Sequence, residues 1–228
     1  MVSLMEHGSE ITHFLHHYCP CTGGIESVAR AFAENTVKFR KVTVSCLDRC
    51  HTKEIRLKSG EIHGIMVRRH GFIDLGLYKI SPSGIRDFFG KKILHIHGVG
   101  FFLDAAVLTK PFHGNKIVLS THGGIFHTHS GSAIRRFYFY VCEKFLMNFV
   151  DMVIASSRND VELFSKICPR EKIILFENPA DVNTSPIHQG KNENQFVFHN
   201  PNSPIILLNI FIELPFTFWV NSAFALDV

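Results

Sequence analysis

Four short groups of residues carry side chains and spacings that could do chemistry. Ser120-Thr121-His122-Gly123-Gly124-Ile125-Phe126-His127-Thr128 sets a histidine beside two glycines at the end of an apolar run. A neutral imidazole there can hydrogen-bond a sugar hydroxyl, and an imidazolium can pair with phosphate. A loop histidine that only satisfies backbone groups fits the same pattern. Gly23-Gly24-Ile25-Glu26 opens a helix-period segment. Two glycines let backbone N–H groups approach a phosphate at a helix N-terminus; a turn needing unusual backbone angles would also select them. Ala155-Ser156-Ser157-Arg158-Asn159-Asp160 places serine where a strand gives way to a helix, as an N-cap or as a ligand contact. The fourth group is His95-Ile96-His97, whose rings are expected on opposite faces of a strand.

The histidine pair invites a metal reading, that of a metal-dependent hydrolase using His95 and His97. Further candidate ligands are His13, His16, His17, His127, His129 and Cys46-x3-Cys50-His51. None forms a recognised zinc spacing, and no Asp or Glu lies in 90–103. The expectation is therefore no metal. There is no GxGxxG, P-loop or GxSxG pattern either, so a classical dinucleotide or ATP site and a hydrolase nucleophile elbow are not supported.

These groups must be held by regular elements. Apolar runs of strand length fall at 11–17, 42–46, 93–96, 117–120, 152–155 and 172–176. Helical periodicity falls at 25–37, 99–108, 132–150 and 159–167. Ser59-Gly60 between 55–57 and 62–67 signals a hairpin, and Pro82 opens a short helix ending near Gly90. Alternation of strand and helix with short connections argues for an α/β fold, a Rossmann-like parallel sheet with helices on both faces. Ligands of such sheets bind beyond the carboxyl ends of the strands. All four groups lie at or just after predicted strands.

Composition narrows the function classes. With 46% hydrophobic and 19% charged residues in 228, the chain is not a disordered one. A net charge of +4 without a run of five like charges does not suggest nucleic-acid binding, although a mildly basic face suits anionic head groups or phosphate substrates. Residues 1–10 do not read as a signal peptide, and the six cysteines are expected to be reduced in the cytoplasm. Beyond Asn178-Pro179 the pattern changes. Residues 181–195 read as a polar linker. Residues 196–228 form an apolar tail with six of the 22 phenylalanines and no Lys or Arg. Its most apolar stretch, 205–220, is too short for a confident membrane span.

Taken in order, the groups resemble family 4 retaining glycosyltransferases. The resemblance rests on His17-Tyr18-x-Pro20-x-x-Gly23-Gly24-Ile25-Glu26, Val42-Thr43-Val44, His95-Ile96-His97-Gly98, Ser120-Thr121-His122-Gly123-Gly124, Asp151-Met152-Val153-Ile154-Ala155-Ser156-Ser157 and Lys172-Ile173-Ile174-x-x-x-Glu177-Asn178-Pro179. The His122-Gly-Gly-x-Phe126-His127-Thr128 segment is similar to the acetan- and xanthan-type exopolysaccharide mannosyltransferases of bacteria. The resemblance covers about residues 11–180.

It implies that residues 1–180 are the amino-terminal, acceptor-side half of a GT-B fold. It also implies transfer of a hexosyl group, mannosyl in this subgroup, from a nucleotide sugar such as GDP-mannose to a polyprenyl-diphosphate-linked saccharide. No cofactor is implied. Carried over residue by residue, Gly23 and Gly24 reach the donor phosphates, His122 contacts the donor sugar, and Gly123, Gly124 and Ser157 (less directly Ser156) line the substrate. Glu26, His97 and His127 are acceptor-side candidates. The family's second domain carries a basic pair and a Glu-x7-Glu motif; residues 181–228 contain neither. The expectation is a truncated, inactive form or a chain whose donor domain comes from a partner. It is expected in the cytoplasm, peripheral at the inner face of the cell membrane. A non-catalytic module docking on membrane through the apolar tail is the remaining alternative.

Overall fold

The computed structural model describes residues 10–50, 55–76, 78–123 and 137–176. His51, Gly124, His127, His129, the linker at 181–195 and the tail at 196–228 lie outside the described residues.

The sheet is built from β1 (Glu10–Leu15), β2 (Val42–Leu47), β3 (Gly60–Ile62), β4 (Ile65–His70), β7 (Lys92–His97), β8 (Lys116–Ser120), β9 (Met152–Ala155) and β10 (Ile173–Leu175). Two short strands, β5 (Ile73–Asp74) and β6 (Lys79–Ile80), pair separately. The strand order is β10-β9-β8-β7-β1-β2-β4-β3. Every pairing in it is parallel except β3 with β4. From β1 the sheet grows one way through β2 and β4 and the other way through β7 to β10. The order therefore reverses between β1 and β7, the place where a doubly wound sheet opens a crevice at its carboxyl edge. This is the expected Rossmann-like architecture.

The hairpin differs in register from the expectation. Its turn is His63-Gly64, both with positive φ (51° and 78°), and Ser59-Gly60 leads into β3 instead. Two successive left-handed residues match the twist of the strands they join, and glycine takes the second of them without strain.

The strands are apolar runs because both faces are covered. Phe14, Leu94, Ile96, Ile117, Leu119, Val153 and Ala155 meet α2 (Phe101–His113), the 3-10 segment Pro82–Phe88 and the carboxyl-side elements Tyr138–Glu143 (a π-helical turn), α3 (Lys144–Leu146) and α4 (Arg158–Phe164). The opposite face meets α1 (Gly24–Thr36), whose Ala29, Phe32, Ala33 and Thr36 repeat at helical spacing and are buried. The helix expected over 132–150 is described only from Phe137, where it runs through the π-helical turn into α3.

Several polar groups inside this core are matched. Asn115 donates to the carbonyls of Phe88 and Gly90 (2.6 and 2.8 Å) and accepts from the Lys92 amide. Burial would raise the Asp87 carboxyl, but hydrogen bonds from His70 and Arg68 outweigh it and hold it down to about 2. A second acidic site behaves in the opposite way. Asp104 accepts from Tyr78 and Tyr138, and the wholly buried Glu143 lies close enough for the two carboxyls to be coupled. Burial, reinforced by the charge of Asp104, pushes Glu143 up to about 8. Burial raises the Asp104 carboxyl as well, so the pair is held towards its protonated form.

A group held protonated by folding gives stability that is present below its unfolded value and lost as pH rises towards the folded one. That contribution is accordingly lost as pH rises from about 4.5 towards about 8. Urea midpoints measured at pH 5, 7 and 9 are expected to fall faster for the wild type than for Glu143→Gln, which has no proton to lose. Parallel curves would contradict the assignment.

Candidate functional site

Parallel pairing of β1 with β7 sets His13 directly opposite His95. Residues two apart on a strand share a face, so His97 joins them. The expectation that the His95 and His97 rings oppose one another across the sheet is wrong for that reason: their centroids are 4.3 Å apart. Phe32 of α1 closes over both, edge-on at 5.1 and 6.1 Å. His13 and His95 are fully buried, and His97 is 6% exposed.

Hydrogen bonds link the rings. His13 Nδ1 and His97 Nε2 are 3.0 Å apart, and His97 Nδ1 and His122 Nε2 are 2.9 Å apart. His95 Nε2 meets the Ser120 hydroxyl at 2.8 Å. Burial drives all four imidazoles towards the neutral form. It lowers His13 to about 3 and His122 to about 4, against the opposing charge of Asp160 at His122. His95 and His97 fall well below their usual value for the same reason, His13 and His122 adding to the shift of each and His95 to that of His97. Ligand atoms of His13, His95 and His97 all lie within 4.8 Å of one another, which is metal-ligand proximity. No carboxylate belongs to the set, and His97 already uses both nitrogens in the chain. The same engagement, with its burial, argues against the acceptor contact expected of His97.

His122 sits at the carboxyl edge with φ 48°, a left-handed conformation uncommon outside glycine, and Gly123 follows at φ 88°. One buried carboxylate holds this turn. Asp160 Oδ2 accepts from the Thr121 hydroxyl (2.7 Å), the Gly123 amide (3.0 Å) and the Ser156 hydroxyl (2.7 Å). Asp160 is the residue that sequence reasoning missed as part of the site. It stood in view four residues after Ser156, but the partner that explains it lies 39 residues upstream. Ser157 caps α4, its hydroxyl oxygen accepting from the Asp160 amide at 3.2 Å. The capping reading of this serine is realised, and its own hydroxyl proton stays available.

The glycine pair lies in the loop after β1. Gly23 is the N-cap of α1 with an extended φ of −178°, and Gly24 is the first helical residue. Neither has a positive φ, so the turn itself does not demand glycine here. A Cβ on Gly23 would run into the Glu26 carboxyl, whereas one on Gly24 would meet open space. Gly24 thus leaves the start of α1 open on its own side, while the Glu26 carboxyl lies over Gly23. The loop is tethered from below. His17 Nδ1 bonds the Arg49 carbonyl at 2.7 Å, Arg69 donates to the Cys19 carbonyl, and Cys21 is disulfide-bonded to Cys50 across 5.6 Å between α-carbons. That pairing corrects the expectation of six reduced cysteines: the loops after β1 and β2 bring these two within bonding reach. Cys19, Cys46, Cys142 and Cys168 are free thiols.

His13, His95, His97, His122, Gly123 and Asp160 therefore form one connected group. Gly23, Gly24 and Glu26 lie where the chain leaves β1, the strand beside β7, and enters α1. This edge, with its helix N-terminus and its clamped histidine, belongs to a sequence of which residues 22–184 match Glycosyltransferase Family 4. The chain is a member of glycosyltransferase family 4.

Two similar relatives are mannosyltransferases named GDP-mannose:cellobiosyl-diphosphopolyprenol alpha-mannosyltransferase. That of Xanthomonas oryzae pv. oryzae is 33% identical over 177 residues, covering 76% of this chain and 47% of the relative. That of Xanthomonas campestris is 34% identical over 179 residues, covering 76% and 47%. The chain thus spans about half the length of the curated relatives it matches. Among solved structures, sucrose-phosphate synthase of Thermosynechococcus elongatus superposes with a TM-score of 0.53 at 14% identity. That alignment covers 74% of this chain and 48% of the synthase, a likeness of fold. The family 4 sheet here is the Rossmann-like amino-terminal half of a GT-B fold.

Because Gly24 has a helical, unstrained backbone and free space, Gly24→Ala is expected to stabilise the family 4 domain by about 0.4–1 kcal/mol. Thermal unfolding of the two proteins checks this. A loss of stability would mean that the fold itself requires the glycine.

Proposed function

We propose that this chain is the acceptor-side half of a retaining mannosyltransferase. The enzyme would pass mannose from GDP-mannose to a polyprenyl-diphosphate-linked saccharide in exopolysaccharide synthesis. The observation that carries the reading is the clamped, left-handed His122 at the carboxyl edge, in a chain one-third identical to enzymes named for that transfer.

The chemistry asks little else of this half. Retaining transfer proceeds through a transition state with oxocarbenium character and a departing nucleoside diphosphate, so it needs donors at the diphosphate and groups that fix the sugar. The start of α1 at Gly23 and Gly24, with the positive end of the helix behind it, suits the diphosphate once the Glu26 carboxyl that lies over Gly23 gives way. His122 suits a sugar oxygen, with Gly123 and Gly124 allowing close approach and the Ser157 hydroxyl available at the same edge. Glu26, beside the helix start, and His127 remain acceptor-side candidates.

The nucleotide sugar's larger binding surface belongs to a second domain, so residues 1–180 are read as one half of the active cleft. That second domain would be supplied in the same polypeptide or by a partner chain. Fusing residues 1–180 to the carboxyl-terminal half of the Xanthomonas campestris enzyme, with labelled GDP-mannose and cellobiosyl-diphosphopolyprenol, tests this. The fusion is expected to transfer mannose. His122→Ala should lower kcat/KM about 10- to 100-fold, the cost of one hydrogen bond to a strongly polar group. A well-folded fusion that is inactive, or one indifferent to His122→Ala, would overturn the reading.

Location at the inner face of the cell membrane is part of the same proposal. No described helix is long and apolar enough to cross a membrane. Leu108 and Phe112, one turn apart on α2, are exposed, Phe112 to 79%. Val141, Phe145 and Phe149 are exposed at helical spacing alongside, where Lys110 reaches the Phe149 carbonyl. An aromatic ridge of this kind beside exposed Lys144 suits a head-group interface. Each ring withdrawn from water is worth about 1.5–3 kcal/mol. Replacing Phe112, Phe145 and Phe149 together by Ser is expected to reduce co-sedimentation with anionic vesicles more than tenfold. Unchanged co-sedimentation would remove the ridge from the proposal.

A further inference from the structure

We infer that His97 and His13 are positioning residues that fix the tautomer of His122, so that it presents Nδ1–H, a hydrogen-bond donor, to the substrate. The inference rests on the role proposed above for His122 and adds what that atom carries.

The argument is one of parity. In a row of neutral imidazoles each ring has one N–H and one lone pair. His97 is bonded on both sides, to His13 Nδ1 and to His122 Nε2. Only two arrangements satisfy both bonds. In the outward one, His13 Nδ1–H donates to His97 Nε2 and His97 Nδ1–H donates to His122 Nε2; His122 then carries its proton on Nδ1. In the inward one every bond reverses. His122 Nε2–H donates to His97, His97 Nε2–H donates to His13, and the His13 proton moves to Nε2.

The inner end decides between them. His13 Nε2 is buried and has no hydrogen-bond partner among the described residues. In the inward arrangement that atom is an N–H donor stranded in an apolar setting. In the outward arrangement it is a bare lone pair. Stranded buried donors are the rarer case in folded proteins, and unsatisfied acceptors are better tolerated. The outward arrangement is favoured, and all three rings are Nδ1–H tautomers.

Neutrality is the condition for this logic, and the surroundings supply it. His95 lies 4.8 Å from His13 and 4.3 Å from His97, so a second charge among the rings would be repelled by the first. Phe32 and the strands wall the group off from water. Asp160 is the charged group associated with His122. Its Oδ2 is already taken by Thr121, Gly123 and Ser156, and burial outweighs its pull on the imidazole. His122 thus offers a donor without a positive charge: it suits a sugar or phosphoryl oxygen and persists at neutral pH.

Long-range 1H–15N correlation of the imidazoles in the uniformly 15N-labelled chain reads the tautomer directly. The expected spectrum shows His13, His97 and His122 neutral and protonated on Nδ1, unchanged between pH 6 and 8. His97→Phe, which keeps ring volume but offers no nitrogen, is expected to release His122 to a mixture of tautomers. In the fusion enzyme it should lower kcat/KM for GDP-mannose about tenfold. A His122 protonated on Nε2, or an imidazolium at pH 7, overturns the inference whether or not His97→Phe folds. So does one equivalent of tightly bound zinc in the purified chain, since a metal would take the lone pairs that the bonds need. An Nδ1–H spectrum combined with transfer that ignores His122→Ala would instead leave the tautomer assignment intact and remove the proposed contact with donor.

Discussion

Three imidazoles buried on one face of a parallel sheet, with no carboxylate among them, must stay uncharged for the fold to survive. That requirement organises much of the molecule. It needs β1 and β7 in the register that sets His13 against His95, because a shift by one residue would turn His13 onto the face occupied by Phe14. It needs α1 to put Phe32 over the rings and keep water out. It uses polar partners found sideways, in another imidazole or in Ser120. Acid is the natural enemy of such an arrangement. Depressed imidazole values mean that the stability they carry is present above about pH 6.5 and lost as pH falls, the opposite sense to the protonated Glu143 on the other face. The two faces of one sheet therefore weaken at opposite ends of the pH scale.

The carboxyl edge is built by two different means. Around His122 the backbone is over-determined: a single buried carboxylate, Asp160, accepts from two side chains and one amide, and a histidine nitrogen is pinned from inside. At Gly23 and Gly24 the backbone itself carries no side chain, although the Glu26 carboxyl lies over Gly23, and the loop is fixed from beneath by a disulfide and a guanidinium. One part of the edge presents an oriented side chain; the other presents backbone. A ligand with a sugar at one end and a diphosphate at the other asks for that division, since hydroxyls are discriminated by directed bonds and phosphates are well served by amides at a helix start.

Much of this was legible in the residues. The strands were readable because both faces are buried, which turns each into a continuous apolar run, and α1 because its buried positions repeat at helical spacing. The glycine pair, His122 and the serine pair were readable as loops following strands. What could not be read is what depends on pairing across the sheet. The His13–His97 and His97–His122 bonds span 84 and 25 residues, and Asp160 finds Thr121 at a distance of 39. Nothing local marks such partners. The hairpin was misplaced for a related reason: His63-Gly64 is as good a turn as Ser59-Gly60 in composition, and only the pairing of Ile62 with Ile65 decides. The disulfide was missed because cysteines were weighed by compartment, whereas the loops bring Cys21 and Cys50 together by topology. The placement of the His95 and His97 rings was an error of strand geometry rather than a limit of the sequence, because alternate residues always share a face.

The strain at His122 bears on what the edge is for. A left-handed histidine costs about 1 kcal/mol or more, and a buried carboxylate bonded three times is a further expense of desolvation. The hydrophobic contacts of the sheet do not call for either. A glycine at position 122 would make the turn without strain, and an apolar residue at position 160 would bury without a charge. Both features instead hold one imidazole in place at the carboxyl edge. By contrast, Asn115 and Asp87 bind elements to one another, so the fold alone accounts for them. Sorting the buried polar groups by whether the fold needs them separates the scaffold from the site. The groups it leaves over, His122 with its two supporting histidines and Asp160 with its three donors, lie together at the edge where a parallel sheet receives its ligands.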